Sequence, residues 1–185
     1  MQRPPWSIGI VGSSGSGKTT LIERLVPLLR DRGLGVGVLK HARAGVELDR
    51  PGKDSHRARE AGAAEVMLAT GSQWALFGAP DRPAAEPDLA SLLTRFSPDR
   101  VDLVLVEGFS HASHDKIEVF RPEHGRAPQC WPADPCVVAV ATNGPVVPVP
   151  STHLDLDQPS AVADFIAARC SAVASLGRDH GVRAG

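Results

Sequence analysis

The 185-residue sequence contains no long apolar segment. It has no run of about 18 or more apolar residues, the length that a transmembrane helix requires. The N-terminal stretch MQRPPWS also lacks the apolar region of a secretory signal peptide. We therefore expect a cytoplasmic protein that does not contact a membrane.

Cysteine is scarce and is not arranged in pairs. Cys130, Cys136 and Cys170 are odd in number and form no C-x-x-C motif. This pattern is typical of reduced thiols in a cytoplasmic protein and argues against a disulfide framework. Cys170 lies on an apolar helical face, so we expect it in the core rather than as a reactive thiol.

An excess of charge of either sign is also missing. The chain has 20 basic and 21 acidic residues and a net charge of -1, which gives no electrostatic case for binding nucleic acid or an anionic membrane. Lysine in particular is rare, because 16 of the 20 basic residues are arginine. The four lysines are Lys18, Lys40, Lys53 and Lys116.

The chain does contain apolar strands that alternate with amphipathic helices. The predicted strands are 7–12, 34–40, 64–70, 73–78, 101–109, 116–122 and 136–142, and the predicted helices are 19–33, 54–62, 89–96 and 160–176. This order predicts an α/β fold with a mostly parallel sheet, helices on both faces and an antiparallel edge hairpin at 64–78. The alternation in 116–122 predicts an edge strand. We expect one domain over 1–175 and a disordered tail over 176–185.

The segment Gly12 to Thr19, GSSGSGKT, matches the phosphate-binding P-loop pattern GxxxxGK[ST] at every fixed position. Its backbone amides and the following helix N-terminus suit phosphate oxygens. Lys18 would contact the β and γ phosphates, and Thr19 a Mg²⁺ ion. The predicted nucleotide-binding residues of this loop are Gly12, Ser13, Gly15, Ser16, Gly17, Lys18 and Thr19.

Two carboxylates are candidates for the metal site. Glu107 ends a buried strand, where P-loop proteins place an acid that holds Mg²⁺ directly or through water; an ordinary solvated carboxylate is the alternative. Asp54 stands at a predicted helix start, so it is either an N-cap or a neighbour of the metal. The two roles of Asp54 are compatible.

Other polar residues follow the predicted strands. Asn143, in Thr-Asn-Gly, either meets a nucleobase edge or forms a turn. His111 and His114 have no cysteine nearby, so solvent-exposed loop histidines are favoured over zinc ligands.

The positions of the four lysines suggest one anionic pocket, since compact ammonium groups suit phosphate and carboxylate contacts. Lys40 and Lys53 flank a long loop, 41–53, for which ordering on nucleotide or partner binding is a plausible use. Lys116 begins the strand after the Glu107 loop.

The motifs VLKH (38–41), RPGKDSHRAREAGA (50–63) and VEGFSHASHDKIEVFRP (106–122), together with the P-loop, resemble the MobB family over residues 7–170. The resemblance implies a P-loop NTPase fold and a GTP-binding, usually homodimeric adapter with Mg²⁺. Such an adapter assists the guanylyltransferase that attaches GMP to molybdopterin, so that enzyme, and the pterin itself, are the implied partners. Hydrolysis is feeble in the family, which implies at most a slow GTPase.

The same resemblance implies that the phosphate site extends from Gly12 to Thr20. It also implies that the metal lies near Thr19 and Glu107. Lys40, His41, Lys53 and Asp54 form the loop group for an anionic ligand or a partner. The chain departs from the family where ARAG (42–45) replaces further histidines and Ser110 replaces a lysine. A histidine cluster that captures metal or molybdate is therefore not expected here.

A P-loop kinase that phosphorylates a small metabolite is the alternative function. Kinases of this size close an arginine-rich lid over the phosphates. The segments 79–88 and 126–135 are rich in proline and carry one arginine each, which argues against such a lid.

Overall fold

The computed structural model of the chain describes residues 4–42, 49–79, 86–146, 148, 150 and 152–179. The contacts divide the chain into two compact units. The first unit is drawn from residues 1–41 and 89–185, and the second from residues 42–88.

Eight strands and four α-helices make up the described chain. In chain order they are β1 (Trp6–Val11), α1 (Lys18–Asp31), β2 (Val36–Lys40), α2 (Asp54–Glu60), β3 (Glu65–Ala69), β4 (Trp74–Gly78), α3 (Leu89–Leu93), β5 (Leu103–Glu107), β6 (Lys116–Phe120), β7 (Val137–Thr142), β8 (His153–Asp155) and α4 (Pro159–Asp179). A short 3₁₀ helix, Pro122–His124, follows β6.

The first unit is built on a six-stranded sheet in the order β2-β5-β1-β6-β7-β8, in which every neighbouring pair is parallel. Successive residues of β5 pack on opposite faces. Leu103 and Leu105 join the core formed with α1 and α4, whereas Val104 and Val106 join the core formed with α3. The predicted α/β class, with a mostly parallel sheet and helices on both faces, is confirmed.

The predicted strands and helices are confirmed, with three differences among the strands: the place of the hairpin, an additional strand and the place of β6. The antiparallel hairpin β3-β4 forms a separate two-stranded sheet in the second unit, not an edge of the main sheet. Strand β8 was not expected, because three residues between turn-forming segments give too little pattern to recognise.

The prediction that β6 is an edge strand is wrong, since it lies between β1 and β7 and all five residues are buried. Its alternation comes from two buried charges, Lys116 and Glu118. The Lys116 ammonium donates to Asp134 Oδ2 at 2.6 Å. Buried charged side chains whose hydrogen bonds are satisfied thus give the same alternating sequence pattern as a strand with one face in solvent.

The same contact corrects the expectation that Lys116 borders an anionic ligand pocket. Lys116 begins β6 and is only 1% exposed, and its ammonium is already paired. The predicted phosphate loop follows the carboxyl end of β1, whereas Lys116 pairs with Gly9 inside β1. The four lysines therefore do not surround one site.

The ion pair with Lys116 also affects the pKa of Asp134. Partial burial alone would raise the pKa of Asp134, but hydrogen bonds from the Lys116 ammonium and the Cys136 amide outweigh it, so its pKa is lowered. The pair's contribution to stability is therefore complete above the ordinary aspartate pKa of about 3.9. It is lost as the pH falls through the lower pKa of the folded state.

Glu118 holds an irregular segment onto β6. Its carboxylate accepts backbone N–H groups from Gln129, Cys130 (3.1 Å) and Trp131 (2.7 Å). A buried carboxylate is costly unless its oxygens are satisfied, and here three consecutive amides satisfy them. Glu118 thus fixes the path of the chain between β6 and β7.

In the second unit, α2 begins at Asp54 with Lys53 as its N-cap residue, so the prediction of Asp54 as the N-cap is wrong. Lys53 has the extended backbone of a cap, and no described side chain makes a capping hydrogen bond there. Asp54 lies in the first helical turn, where its negative charge interacts favourably with the positive end of the helix dipole. Its exposed carboxylate lies 3.9 Å from the Arg57 guanidinium.

The C-terminal helix continues further than expected. Helix α4 runs to Asp179, so it includes the first four residues of the segment predicted as a disordered tail; residues 180–185 lie outside the described residues. All three cysteines are free, and Cys170 is buried in the core as predicted. None of the helices in the described ranges has the length and apolar character needed to cross a membrane.

We predict that Glu118→Gln lowers the free energy of unfolding by at least about 2 kcal/mol, because the amide NH₂ would face backbone donors in place of an acceptor. Urea denaturation measures the change. Glu23→Gln, on the exposed side of α1, is the matched control and should change the value by no more than about 0.5 kcal/mol. Equal effects of the two substitutions would contradict the role of Glu118.

Candidate functional site

The loop between β1 and α1 has the backbone that its glycines require. Gly12, Gly15 and Gly17 have φ values of 132°, 82° and 99°, which only glycine adopts without strain. A Cβ on Gly12 would lie 2.3 Å from the Val119 carbonyl oxygen of the neighbouring strand β6. The loop therefore packs closely against the sheet at Gly12.

Lys18 lies across this loop. Its ammonium donates to the carbonyl oxygens of Gly12 and Ser13, both at 2.8 Å. Burial lowers the pKa of Lys18, Glu107 opposes this shift and Lys40 adds to it. The Lys18 ammonium is thus bound to two neutral carbonyl oxygens of the loop. An anionic ligand could replace these acceptors.

Gly15 and Thr20 are accessible to a ligand, and Ser16 holds a buried hydroxyl in the same loop. Gly15 is exposed, with no atom within 4 Å of where a Cβ would stand. Thr20 is exposed in the first turn of α1. The Ser16 hydroxyl is buried and has no hydrogen-bond partner among the described residues, so a polar group remains to be satisfied inside the loop.

Thr19, Glu107 and Lys40 meet at the carboxyl ends of β1, β5 and β2. The Thr19 hydroxyl contacts both Glu107 oxygens, at 3.0 and 3.1 Å, and the Lys40 ammonium lies 3.3 Å from Glu107 Oε2. The register explains the meeting, because Glu107 pairs with Ile10 of β1 and Lys40 of β2. The sheet therefore brings these three predicted residues together.

The meeting point of Thr19, Glu107 and Lys40, called the metal corner below, suits a magnesium ion. A hydroxyl and a carboxylate are the oxygen donors that Mg²⁺ prefers, and the ion usually keeps several waters and completes its shell with phosphate oxygens. Two protein groups beside a phosphate-binding loop are therefore a sufficient set. The residues fit the implied ion, with Thr19 as a ligand and Glu107 as a direct or water-mediated one.

An aromatic group borders the corner. The His41 ring lies 4.8 Å from the Phe109 ring, and His111 lies 6.3 Å from Phe109. Phe109 has a φ of 52°, rare for a non-glycine residue, and follows Gly108 with a φ of 96°. This tight turn after β5 turns the chain back beside the end of β2.

The histidines do not form a metal cluster. Among the described residues, no group of three or more His, Cys, Asp or Glu side chains could hold a metal ion. His111 is exposed as predicted, but the prediction that His114 is exposed is wrong. Burial lowers the pKa of His114, while a hydrogen bond with the Ala112 carbonyl opposes the shift.

The opposite side of the loop carries two residues that the sequence did not single out, Arg121 and Glu123, beside the predicted Asn143. Arg121 Nε donates to the Ser16 carbonyl oxygen at 3.1 Å, and its guanidinium lies 3.3 Å from Glu123 Oε1. Asn143 Nδ2 donates to the same Oε1 at 3.1 Å. The available signal for Arg121 was its position, since it directly follows β6.

Asn143 lies in the turn foreseen for it, where the adjoining Gly144 amide donates to the Thr142 hydroxyl. Its side chain is exposed beyond the carboxyl end of β7, and its contact with a nucleobase edge stays a prediction. Lys53 and Asp54 belong to the second unit. Their roles near the metal or an anionic ligand stay predictions, and of the loop between them and His41, residues 43–48 lie outside the described residues.

Comparison with known proteins gives a consistent result. Residues 7–143 match the family model described as MobB, Molybdopterin guanine dinucleotide synthesis protein B. The chain is 40% identical over 154 residues to the molybdopterin-guanine dinucleotide biosynthesis adapter protein of Escherichia coli (strain K12), covering 83% of this chain and 86% of that protein. It is 41% identical over 160 residues to the protein of the same name from Haemophilus influenzae, covering 86% of each.

Solved structures agree with these matches. The crystal structure of a molybdopterin-guanine biosynthesis protein B (mobB) superposes with a TM-score of 0.64 and 32% identity, covering 89% of this chain and 99% of that one. The structure of Bacillus subtilis MobB gives a TM-score of 0.63 and 26% identity, covering 89% of this chain and 96% of that one.

We predict that Gly12→Ala destabilises the protein by at least about 2 kcal/mol more than Gly15→Ala, because overpacking against a rigid neighbour adds to the strain of a positive φ. Both glycines have positive φ, but only Gly12 would place a Cβ against backbone. Urea denaturation of the two variants isolates the steric contribution. Similar losses in both would show that the loop does not pack against β6 in this way.

Proposed function

The chain belongs to the MobB family of molybdopterin guanine dinucleotide synthesis proteins, and on this premise we propose that it is a GTP-binding adapter that assists a guanylyltransferase. Its relatives carry the name of adapter proteins of that biosynthesis, so the chain has a role in molybdenum cofactor biosynthesis. The observation that carries the nucleotide part of the proposal is the contact of Thr19 with Glu107 beside the glycine loop.

In this proposal the loop amides and Lys18 hold the β and γ phosphates. The ammonium exchanges two neutral carbonyl acceptors for charged phosphate oxygens, and charge-assisted hydrogen bonds are the stronger kind. The buried Ser16 hydroxyl and the positive end of α1 add donors at the same place. All these groups belong to one loop and the first turn of one helix.

Magnesium, when bound, would neutralise phosphate charge at the corner of Thr19 and Glu107. Thr19 would turn its hydroxyl oxygen to the ion, and the Glu107 carboxylate would orient the ion or its water. Lys40, 3.3 Å from Glu107, would keep that carboxylate in place. The family resemblance implies feeble hydrolysis, so the proposal includes at most weak GTPase activity and gives the protein an adapter role.

A second copy of the chain is part of the proposal, and the hairpin of the second unit supports it. Met67 pairs with Leu76, and Trp74 lies two residues from Leu76, so these three side chains share one face of the hairpin. All three are exposed, Trp74 to 60%. An exposed apolar face of this kind is typical of a protein-protein contact, and we assign it to the homodimer.

We predict that Mg-GTP binds the wild-type chain more tightly than Mg-ATP and that Lys18→Ala weakens GTP binding at least tenfold, or about 1.4 kcal/mol. The loss follows from removing the main cation of the phosphate site. Isothermal titration calorimetry measures both, with Arg24→Ala, an exposed cation of α1, as the control. An unchanged affinity in Lys18→Ala, or a clear preference for ATP, would overturn the assignment.

We also predict that the chain co-purifies with the molybdenum cofactor guanylyltransferase, and that GTP changes the recovered amount. A tagged chain is used as bait with and without Mg-GTP, and Lys18→Ala bait is the control that should not respond to nucleotide. Failure to recover the enzyme under either condition would contradict the adapter role. Rapid ATP consumption stimulated by a small metabolite would instead favour a kinase.

A further inference from the structure

The sheet fixes the direction in which a bound nucleotide would extend, given the proposed function. The phosphate loop follows β1, and the metal corner at Glu107 lies on the β5 side of β1. The terminal phosphates would face the metal corner, because a Mg²⁺ ion held by Thr19 and Glu107 would neutralise their charge there. The nucleoside end therefore runs the other way, over the ends of β6 and β7.

Arg121, Glu123 and Asn143 stand at that end. Arg121 touches the loop itself, since its Nε donates to the Ser16 carbonyl oxygen and its guanidinium lies 3.6 Å from where a Gly17 Cβ would be. Its other end pairs with Glu123. Arg121 thereby ties the Glu123 carboxylate to the phosphate loop through one rigid guanidinium plane.

We propose that Glu123 is the residue that selects the base, accepting hydrogen bonds from N1–H and the 2-amino group of guanine. Adenine offers an acceptor at the equivalent N1 position, where a carboxylate would face a lone pair. A carboxylate held in place here would accept hydrogen bonds from guanine and would repel the N1 lone pair of adenine. The site would therefore discriminate between the two bases by attraction and by repulsion. This inference rests on the proposed function and adds the specificity-determining residue to it.

The Glu123 carboxylate has the charge and the remaining hydrogen-bonding capacity that this role requires. Its own backbone amide, the Asn143 amide and Arg121 lower its pKa, so at neutral pH it is ionised and only accepts hydrogen bonds. The bonds from Arg121 and Asn143 both end on Oε1, and about half of the side chain (52%) is exposed. Each carboxylate oxygen accepts two hydrogen bonds, so the group has capacity for a base edge.

Asn143 acts in this arrangement as a positioning residue. Its Nδ2 donates to Glu123 from the end of β7, while Arg121 donates from the end of β6. Two strands therefore fix the carboxylate from two directions. An exposed ion pair with no ligand would itself contribute little to stability, so a purely structural role predicts no effect of Glu123 on the choice between nucleotides.

The test compares GTP, ATP, ITP and XTP, each with Mg²⁺, by calorimetry on wild type and Glu123→Gln. The wild type should bind GTP best and bind ITP, which lacks the 2-amino group, more weakly. Glu123→Gln should bind GTP at least tenfold more weakly with ATP unchanged. Its affinity for XTP should rise relative to GTP, because the glutamine NH₂ can donate to the 2-oxo group of xanthine.

Two further variants sharpen the result. Glu123→Ala should lose the preference for GTP without gaining XTP binding, and Glu23→Gln on α1 should behave as wild type. If the wild type prefers GTP and Glu123→Gln keeps the same ratio of GTP to ATP affinity, the inference is overturned and the proposed function stands. If the wild type binds none of the four nucleotides, both are overturned.

Discussion

The parallel register of three adjacent strands is the constraint on which the site depends. Ile10 of β1 pairs with Glu107 of β5 on one side and Ile117 of β6 on the other. Because these strands run in the same direction, their carboxyl ends open onto one edge of the sheet. The glycine loop after β1, the Glu107 carboxylate and the Arg121 guanidinium, which contacts the loop at Ser16, therefore lie at the same edge of the sheet.

Buried polar groups in β6 hold the segment that follows this strand. Glu118 captures three successive backbone amides, and Lys116 captures Asp134, so the segment between β6 and β7 follows a single path. Replacing such compensated charges would leave their partners unsatisfied in a low dielectric. Arg121 directly follows the same strand and contacts the loop at the Ser16 carbonyl oxygen.

The sequence predicts the features that depend on short-range patterns and misses those that depend on compensation between distant residues. The P-loop, the apolar strand that ends at Glu107 and the hairpin at 65–78 follow from local composition and spacing. The interior place of β6 does not, because its charges are satisfied by residues 11 to 18 positions away. Arg121 and Glu123 were missed for the same reason, since their value lies in contacts with Ser16 and Asn143.

The most direct measurement is an experimental structure of the chain with Mg²⁺ and a non-hydrolysable GTP analogue. The account predicts Lys18 on the β and γ phosphates instead of the Gly12 and Ser13 carbonyls, a metal ion on Thr19 Oγ1 close to Glu107, and guanine beside Glu123. A nucleotide bound elsewhere, or one bound in the loop with its base directed past Glu107 and β5, would contradict it.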